Sequence, residues 1–435
     1  MPEILIAALS PVGHIAPLLN VAQGLVDRGD RVTVLSSAEH AGKIRAVGAT
    51  PHPIPAEADF DLTRLDIDLP GRTGTTGIKR VNFDIVRLFV QPMPHQTKVL
   101  SELMARTRFD AIIVDAGFFG ILPFLLGDRA ARPPVLAYAT TPLMITSRDT
   151  APSGMGLPPS SSALGRLRNR ALTVLSQKLL LRQSQQAANY LLDHLNSRPL
   201  PTFILDSGLL ADRYIAPTVP EFDYPRSDLP AHVRYVGAVY PPPSNGFRLP
   251  AWWAELDGDR PVVHVTQGTI DNADLGRLLE PTIEALGGED VIVVATTGGR
   301  DISQVKVRLP SNTFVAEYIP HDLLLPKVDV MVTNGGYGAV QRALSMGVPL
   351  VVAGNTEDKP EVAARVAWTG AGINLRTGTP TPGAVRAAVR AVLNDDRYLS
   401  AARRLEVAFA RRDGVAEIAA LVDEVIGEHR TAVHR

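Results

Sequence analysis

The stretch EILIAALSPVGHIAPLLNVAQGLVDRGDRVTVLSS, residues 3–37, determines the fold prediction. Its apolar run from Glu3 predicts a strand, the segment from about Ala16 to Arg28 predicts a helix, and the Val-rich run from Arg31 predicts a second strand. Short apolar strands joined by helices are typically buried on both faces and belong to parallel sheets. The opening therefore predicts an α/β protein with doubly wound sheets.

The same alternation continues through the first half of the chain. Further strands are predicted in FDAIIVDAGF and PPVLAYATT, and helices from about Glu39, from about Gly120 to Arg129 and from about Arg166 to Asn196. Two loop-like segments, Pro53 to about Gly77 and Thr141 to about Ser162, interrupt this pattern. Loops of this length in compact α/β domains commonly carry function.

A connector rich in proline and glycine, VGAVYPPPSNGFRLP, separates the first series from a second one. The second series has strands in PVVHVTQGT, VIVVATTGG, TFVAEYI, DVMVTNGG and PLVVAGN, with helices at about 275–286, 338–346 and 360–369. Ile418, Leu421, Val422, Val425 and Ile426 give the terminal segment one apolar helical face. The predicted domains are 1–235, a linker 236–260, 261–412, and a C-terminal helix in 413–435.

Composition excludes several functional classes. The 435 residues include 44 Lys+Arg and 45 Asp+Glu, so the net charge of -1 gives no drive toward nucleic acid or anionic lipid. The chain has no cysteine, which excludes disulfides and thiol nucleophiles. The apolar start is too short for a signal peptide and no apolar run is long enough to span a membrane, so we expect a cytoplasmic protein.

Two strand ends of the first half carry polar residues that suit acid–base chemistry. Ligands in doubly wound sheets bind at the carboxyl ends of the strands, where His14 and Asp115 are expected. A carboxylate that holds an imidazole stabilises its protonated form and makes the other ring nitrogen a better base. Taken alone, His14 as a helix cap and Asp115 as a turn residue is the simpler interpretation.

Three strand ends of the second half suit a nucleotide sugar. TQGT (266–269) and TNGGYGAVQRAL (333–344) place glycines before helices, where backbone N–H groups bind phosphate. In GNTEDKPEVAARV (354–366), Glu357, Asp358 and Lys359 could contact sugar hydroxyls. Turn glycines and a charged first helical turn are equally good explanations of these motifs.

Together, and in this order, these segments resemble glycosyltransferase family 1, the UDP-glycosyltransferase superfamily with the GT-B fold, most closely its bacterial natural-product branch. The resemblance covers GHIAP, VDAGF, the loop TPLMITSRDTAPSGMGLPP, VTQGT and the long segment from AEYIPHD to GAGINL. It implies two Rossmann-like domains facing across a cleft. It also implies that the C-terminal helix crosses back to the first domain.

The resemblance assigns a role to individual residues. His14 would be the general base and Asp115 would orient it, with Gly13 allowing both substrates close approach. The donor would be bound by Gln267, Gly268, Thr269, Ile319, His321, Asn334, Gly335, Gly336, Gly338, Asp358 and Lys359. We expect the acceptor near the apolar residues Phe83, Phe118, Phe119, Met144 and Met155. No metal and no cofactor beyond the nucleotide sugar are expected.

Four positions depart from the family pattern, and all lie in the second half. The family usually has histidine at Asn334, serine or threonine at Ala339, glutamate near Arg342 and glutamine at Lys359. Asn334 still donates a hydrogen bond but adds no positive charge. These changes leave the donor sugar and base open, whereas the pair His14 and Asp115 is intact.

The sequence thus predicts an inverting, metal-independent glycosyltransferase. It would move a hexose, with UDP-glucose the favoured donor and a TDP-sugar the alternative, to a hydroxyl of an apolar phenolic, macrolide or other natural product. Two alternatives stay open: a nucleotide-sugar-binding auxiliary or regulatory protein, and an epimerase of the same fold. A monomer or a dimer is expected.

Overall fold

The computed structural model describes residues 1–61, 65–269 and 271–433. Thirteen strands form two parallel sheets in the described residues. The first sheet contains β1 (Glu3–Ala7), β2 (Arg31–Ser36), β3 (Thr50–Pro53), β4 (Ala111–Asp115), β5 (Val135–Tyr138), β6 (Arg213–Ala216) and β7 (Val233–Tyr235). The second contains β8 (Val262–Thr266), β9 (Ile292–Thr296), β10 (Thr313–Ala316), β11 (Val330–Thr333), β12 (Leu350–Val352) and β13 (Gly372–Asn374).

Fifteen helices in the described residues pack around these sheets. Eight precede the second sheet: α1 (Val12–Asp27), α2 (Ala41–Ala46), α3 (Leu65–Asp68), α4 (Gly77–Asp84), α5 (Met93–Arg106), α6 (Leu122–Leu126), α7 (Ala163–Leu175) and α8 (Arg182–His194). Seven follow: α9 (Leu279–Leu286), α10 (His321–Leu324), α11 (Tyr337–Leu344), α12 (Lys359–Thr369), α13 (Pro382–Asn394), α14 (Asp396–Ala410) and α15 (Gly414–Val433). Two π-helical segments, Ile85–Val90 and Ser176–Leu180, continue α4 and α7.

The strand orders confirm the prediction of two doubly wound α/β domains. The first sheet runs β3-β2-β1-β4-β5-β6-β7 and the second β10-β9-β8-β11-β12-β13, with every paired strand parallel. Apolar clusters cover both faces of each sheet. The order reverses beside β1 and beside β8, so ligand crevices are expected at the carboxyl ends of those strands.

Several element bounds differ from the sequence prediction. Helix α1 begins at Val12 instead of Ala16, because the N–H groups of His14 and Ile15 already bond to the carbonyl of Pro11. The helix predicted at 120–129 shortens to α6, and the one predicted at 166–196 divides into α7 and α8. Residues 62–64 of the predicted loop from Pro53 to Gly77 lie outside the described residues.

The last helix, α15, packs against α1 of the first domain. Its apolar residues Ile418, Val422 and Val425 are buried in the core between α1 and the first sheet. Arg28, directly after α1, forms an ion pair of 3.0 Å with Asp423. The chain thus returns to the first domain after completing the second.

The two domains also meet through the segment between β6 and β7. Val219 and Phe222 from this segment are buried in the core of the second domain. The ring of Phe222 stacks on Tyr337 at the start of α11, with centroids 6.5 Å apart.

Among the described helices, none combines the length and apolar character needed to cross a bilayer.

Candidate active site

The residues His14 and Asp115 form a hydrogen-bonded pair at the carboxyl edge of the first sheet. His14 lies in the first turn of α1 and Asp115 is the last residue of β4, which is adjacent to β1. Nδ1 of His14 lies 2.6 Å from Oδ2 of Asp115. The other oxygen of Asp115 accepts the N–H of Gly117 at 2.8 Å, which fixes the carboxylate. The side chain of Asp115 is buried, whereas that of His14 is 20% exposed.

Electrostatics favour the protonated form of His14. Burial is the largest single effect and lowers the pKa of His14, whereas the charge of Asp115 and its hydrogen bond raise it, and the net result of all contributions is a pKa above its ordinary value. The carboxylates of Asp358 and Glu357 raise this pKa further. Because those two residues belong to the second domain, the imidazole experiences charge from both sides of the interdomain cleft. Such an imidazole can take up a proton and keep it.

The carboxyl ends of two neighbouring strands of the second domain, β8 and β11, lie at the candidate donor site. Thr266 of β8 and Thr333 of β11 are register partners. The hydroxyl of Thr266 accepts the N–H of Gly268, and that of Thr333 accepts the N–H of Gly335. Asn334 then donates its side-chain N–H to the carbonyl of Gln267, which ties the two loops together. Asn334, where the family usually has histidine, therefore supplies a hydrogen bond between the two loops.

The two loops have the backbone shape that anion binding requires. Gly268 and Gly335 have φ of 72° and 90°, in the left-handed region that favours glycine. Helix α11 begins directly after Gly336, and the first N–H groups of an α-helix have no acceptor within the helix. These N–H groups and the helix dipole favour a phosphate at this point.

Lys359 is held in an ionic cluster beside this turn. It is buried at the first position of α12, with Nζ 3.4 Å from Asp271 and in contact with Glu357. Asp271 also pairs with Arg277 at 2.7 Å. Burial raises the pKa of the neighbouring Asp358 to about 6, against the opposing charge of Lys359. The extra cation at position 359 is thus neutralised inside the protein.

The side chains of four predicted binding residues are buried or bonded within their own domain. Phe118 and Phe119 are core residues of the first domain, and the side chain of Ile319 is buried in the core of the second. The side chain of Gln267 bonds to the backbone of Asp274, Leu278 and Leu279. Sequence reasoning missed this because apolar or polar residues near a strand end can point into the core as easily as into the cleft.

The other predicted residues are placed as follows. Gly13, Thr269 and Gly338 are exposed, and Gly336, His321, Phe83, Met144 and Met155 are partly exposed. The ring of His321 meets that of His264 edge-on, with centroids 5.7 Å apart. Burial and nearby Arg342 lower the pKa of His321 to about 4, so this ring is neutral at physiological pH. Arg342 itself lies over the ring of Tyr240 in the linker, 4.5 Å from its centroid.

Sequence reasoning also missed functional candidates. The hydroxyl of Thr140 lies 3.1 Å from Nδ1 of His14, and Thr140 follows β5, so the rule of strand carboxyl ends could have found it. Asp271 and Glu361 have no comparable signal, because Asp271 meets Lys359 and Glu361 meets Gly154 across long sequence separations. Across residues 1–61, 65–269 and 271–433, no group of three His, Asp or Glu side chains is arranged to hold a metal ion.

The chain is similar in sequence to several named proteins. Residues 280–425 match the family model "Erythromycin biosynthesis protein CIII-like, C-terminal domain". The chain is 41% identical to 4'-demethylrebeccamycin synthase of Lentzea aerocolonigenes, covering 98% of this chain and 99% of that protein. It is 36% identical to UDP-glycosyltransferase 2 of Phaeomoniella chlamydospora (98% and 96%). It is 30% identical to UDP-glucosyltransferase A1 of Starmerella bombicola (98% and 92%).

Solved structures share the fold over the whole chain. The glycosyltransferase of kitacinnamycin superposes with a TM-score of 0.73 at 21% identity, covering 98% of this chain and all of that one. The glycosyltransferase VinC, solved in complex with dTDP, superposes with a TM-score of 0.65 at 20% identity, covering 98% and 100%. The two-domain arrangement described above is therefore shared with glycosyltransferases of known structure.

Proposed function

This chain belongs to the UDP-glycosyltransferase family with the GT-B fold, and from that premise we propose a specific reaction for it. It transfers a hexose from a nucleoside-diphosphate sugar to a hydroxyl of an apolar small molecule, with inversion at the anomeric carbon. The observation that carries this proposal is the His14–Asp115 pair at 2.6 Å, which lies under the charge of second-domain carboxylates. A base of one domain thus faces the sugar-contacting motif of the other.

The proposed mechanism uses groups of this chain alone. Nε2 of His14 removes the proton from the acceptor hydroxyl, and Asp115 stabilises the resulting imidazolium through Nδ1. The acceptor oxygen attacks the anomeric carbon as the bond to the diphosphate breaks. The N-terminus of α11 and the backbone of Gly335 and Gly336 stabilise the charge that develops on the leaving diphosphate. The nucleotide sugar is a co-substrate, and no metal or other cofactor takes part in this mechanism.

We favour UDP-glucose as the donor and keep a TDP-sugar as the alternative. Relatives that carry the name UDP-glucosyltransferase support the first, and the dTDP complex of a structurally similar protein supports the second. The acceptor is proposed to be an aromatic, macrolide or similar natural product bound near Phe83, Met144 and Met155, which are partly exposed. Asp358 is proposed to contact the sugar hydroxyls.

A donor and acceptor panel tests this function. The purified chain is incubated with UDP-glucose or TDP-glucose and with phenols, macrolides and sterols, and products are identified by mass spectrometry. The expected result is a product heavier than its acceptor by one hexosyl unit. Release of nucleoside diphosphate without acceptor modification would indicate donor hydrolysis only, and failure to consume any donor would contradict the proposal.

A further inference from the structure

Glu361 of the second domain holds a loop of the first domain. We call residues 141–162 the acceptor loop, since they follow β5 and contain Met144 and Met155. The N–H groups of Gly154 and Gly156 both donate to Oε1 of Glu361, each at 2.9 Å. Glu361 lies in the first turn of α12 and is 7% exposed. One carboxylate oxygen of one domain thus binds two backbone groups of the other.

The backbone of the acceptor loop is shaped for this contact. Gly154 and Gly156 have φ of 93° and 58°, in the left-handed region, and their N–H groups converge from both sides of Met155. A Cβ atom on Gly156 would lie 3.4 Å from the carbonyl oxygen of Pro360, so the loop packs directly on the start of α12. Hydrogen bonds to an ionised acceptor are stronger than those between neutral groups. Met155 is therefore held against the second domain.

The other oxygen of Glu361 belongs to a buried charge network, which we define as Glu361, Arg365, Asp223 and Arg226. Arg365 donates to Oε2 of Glu361 at 3.0 Å and to Asp223 at 2.9 Å. Asp223, from the first-domain segment between β6 and β7, pairs with Arg226 at 2.8 Å. Arg226 also donates to the carbonyl of Leu143, which lies in the acceptor loop. The network therefore begins and ends on the acceptor loop and passes through the second domain.

The same helical turn carries the proposed sugar contacts. Asp358 is the N-cap residue of α12 and Lys359 its first residue, two positions before Glu361. A movement of the second domain that displaces Asp358 from the cleft also displaces Glu361 from Gly154 and Gly156. Two ligands that favour the same arrangement of two domains increase each other's affinity.

We propose that Glu361 is a positioning residue that orders the acceptor loop against the second domain and thereby couples donor binding to acceptor binding. This inference rests on the proposed function for the identity of the two ligands. The contact between Glu361 and the two glycines does not depend on which sugar, nucleobase or acceptor is bound. A nucleoside diphosphate that closes the domains is expected to immobilise the acceptor loop through Glu361.

Steady-state kinetics on the full chain give the first test. Glu361→Gln replaces one acceptor oxygen by an N–H₂ group, which must face either the glycine N–H groups or Arg365, both donors. We expect the acceptor KM at saturating donor to rise about tenfold, as loss of a charge-assisted hydrogen bond predicts, and the donor KM at saturating acceptor to rise with it, because coupling between two ligands is reciprocal. Glu361→Asp keeps the charge but withdraws it by one methylene and should give an intermediate acceptor KM. Glu406→Gln, which removes an exposed pair with Arg403, is the matched control and should match the wild type.

Loop mobility gives a second test that does not depend on turnover. Because the chain has no cysteine, Ser153→Cys provides a single site for a fluorescent label beside Gly154. Addition of UDP or TDP should raise the anisotropy of this label when Glu361 is present and leave it unchanged in Glu361→Gln. A purely structural role of Glu361 would not produce this dependence on nucleotide.

The two tests separate failure of the inference from failure of the proposed function. An acceptor KM of Glu361→Gln equal to that of the wild type would overturn the inference while leaving the transferase intact. An equal nucleotide response of the label in both backgrounds would also overturn it. A wild type that turns over no donor would contradict the proposed function, and the anisotropy arm would still decide whether Glu361 holds the loop.

Discussion

Replacing Asp115 with asparagine should reverse the direction of the hydrogen bond to His14. Oδ1 of Asp115 accepts the N–H of Gly117 at 2.8 Å, and Oδ2 faces Nδ1 of His14 at 2.6 Å. An asparagine that keeps the bond to Gly117 must direct its N–H₂ group at Nδ1. Nδ1 then becomes an acceptor and the proton of the neutral ring moves to Nε2. The nitrogen that should take the acceptor proton is thereby blocked.

The size of this effect follows from the lost interaction. A hydrogen bond to a charged group contributes about 1.5–3 kcal/mol, which corresponds to a loss of about 10- to 150-fold in kcat. The wrong tautomer adds to this loss. We therefore expect Asp115→Asn to reduce kcat by at least about tenfold, with the donor KM nearly unchanged.

The pH profile of the same variant gives a directional test. The base must be neutral, so wild-type kcat should rise with pH through a pKa that lies above 6.5, the ordinary value for histidine. Asp115 raises this pKa against the effect of burial, so loss of the Asp115 charge lowers the pKa. The rise should therefore occur at lower pH in Asp115→Asn, toward a lower plateau.

Transfer is measured by chromatographic separation of product over a range of pH around neutrality. Asp110→Asn is the matched control, because Asp110 precedes the same strand and accepts the N–H of Glu3 far from His14. The control should keep the wild-type profile. A kcat of Asp115→Asn within about twofold of wild type, with an unshifted profile, would refute the assigned pairing.

The remaining predictions concern the base and the core. His14→Ala should abolish transfer while leaving UDP affinity, measured by calorimetry, unchanged, because the base acts on the acceptor and lies in the other domain; substantial transfer would contradict its role. Phe119→Ala should lower the free energy of unfolding in urea by about 3–5 kcal/mol, because Phe119 is a core residue. Phe83→Ala, at a partly exposed position, should cost clearly less, and equal losses would show that Phe119 is no more buried than Phe83.

The architecture could be predicted from sequence because the central strands are apolar runs that are easily recognised. The runs that became β1, β2, β8 and β11 are buried on both faces and fall between helices. The strands β6, β7 and β13 are short and include arginine, asparagine or glycine, so no apolar run marks them in the sequence. The start of α1 was placed too late because Gly13 and Pro17 both weaken a helical pattern.

Residues of the candidate site could be predicted from sequence only where they lie at the carboxyl ends of recognisable strands. The proximity of His14 and Asp115 follows from the adjacency of β1 and β4, which the rule of strand carboxyl ends anticipates. The roles of Phe118 and Phe119 could not be fixed, because the direction of a side chain after a strand depends on the local turn. Glu361 and its partner Gly154 are separated by 207 residues, and no local pattern reveals such a contact.

The unusual residues of the second domain receive a physical explanation in the structure. Asn334 bonds to the backbone of Gln267, and Lys359 is neutralised by Asp271 and Glu357. Neither residue adds a free charge at the proposed phosphate site. In the proposed mechanism, backbone N–H groups and the dipole of α11 therefore stabilise the leaving group.

The configuration of the product tests the central claim most directly. If His14 activates the acceptor for a single displacement, an α-linked donor such as UDP-glucose must yield a β-glycoside. The proton NMR spectrum of the purified product, read at the anomeric proton, distinguishes the two configurations. The account predicts the β product, and an α product would contradict direct displacement by an acceptor that His14 deprotonates.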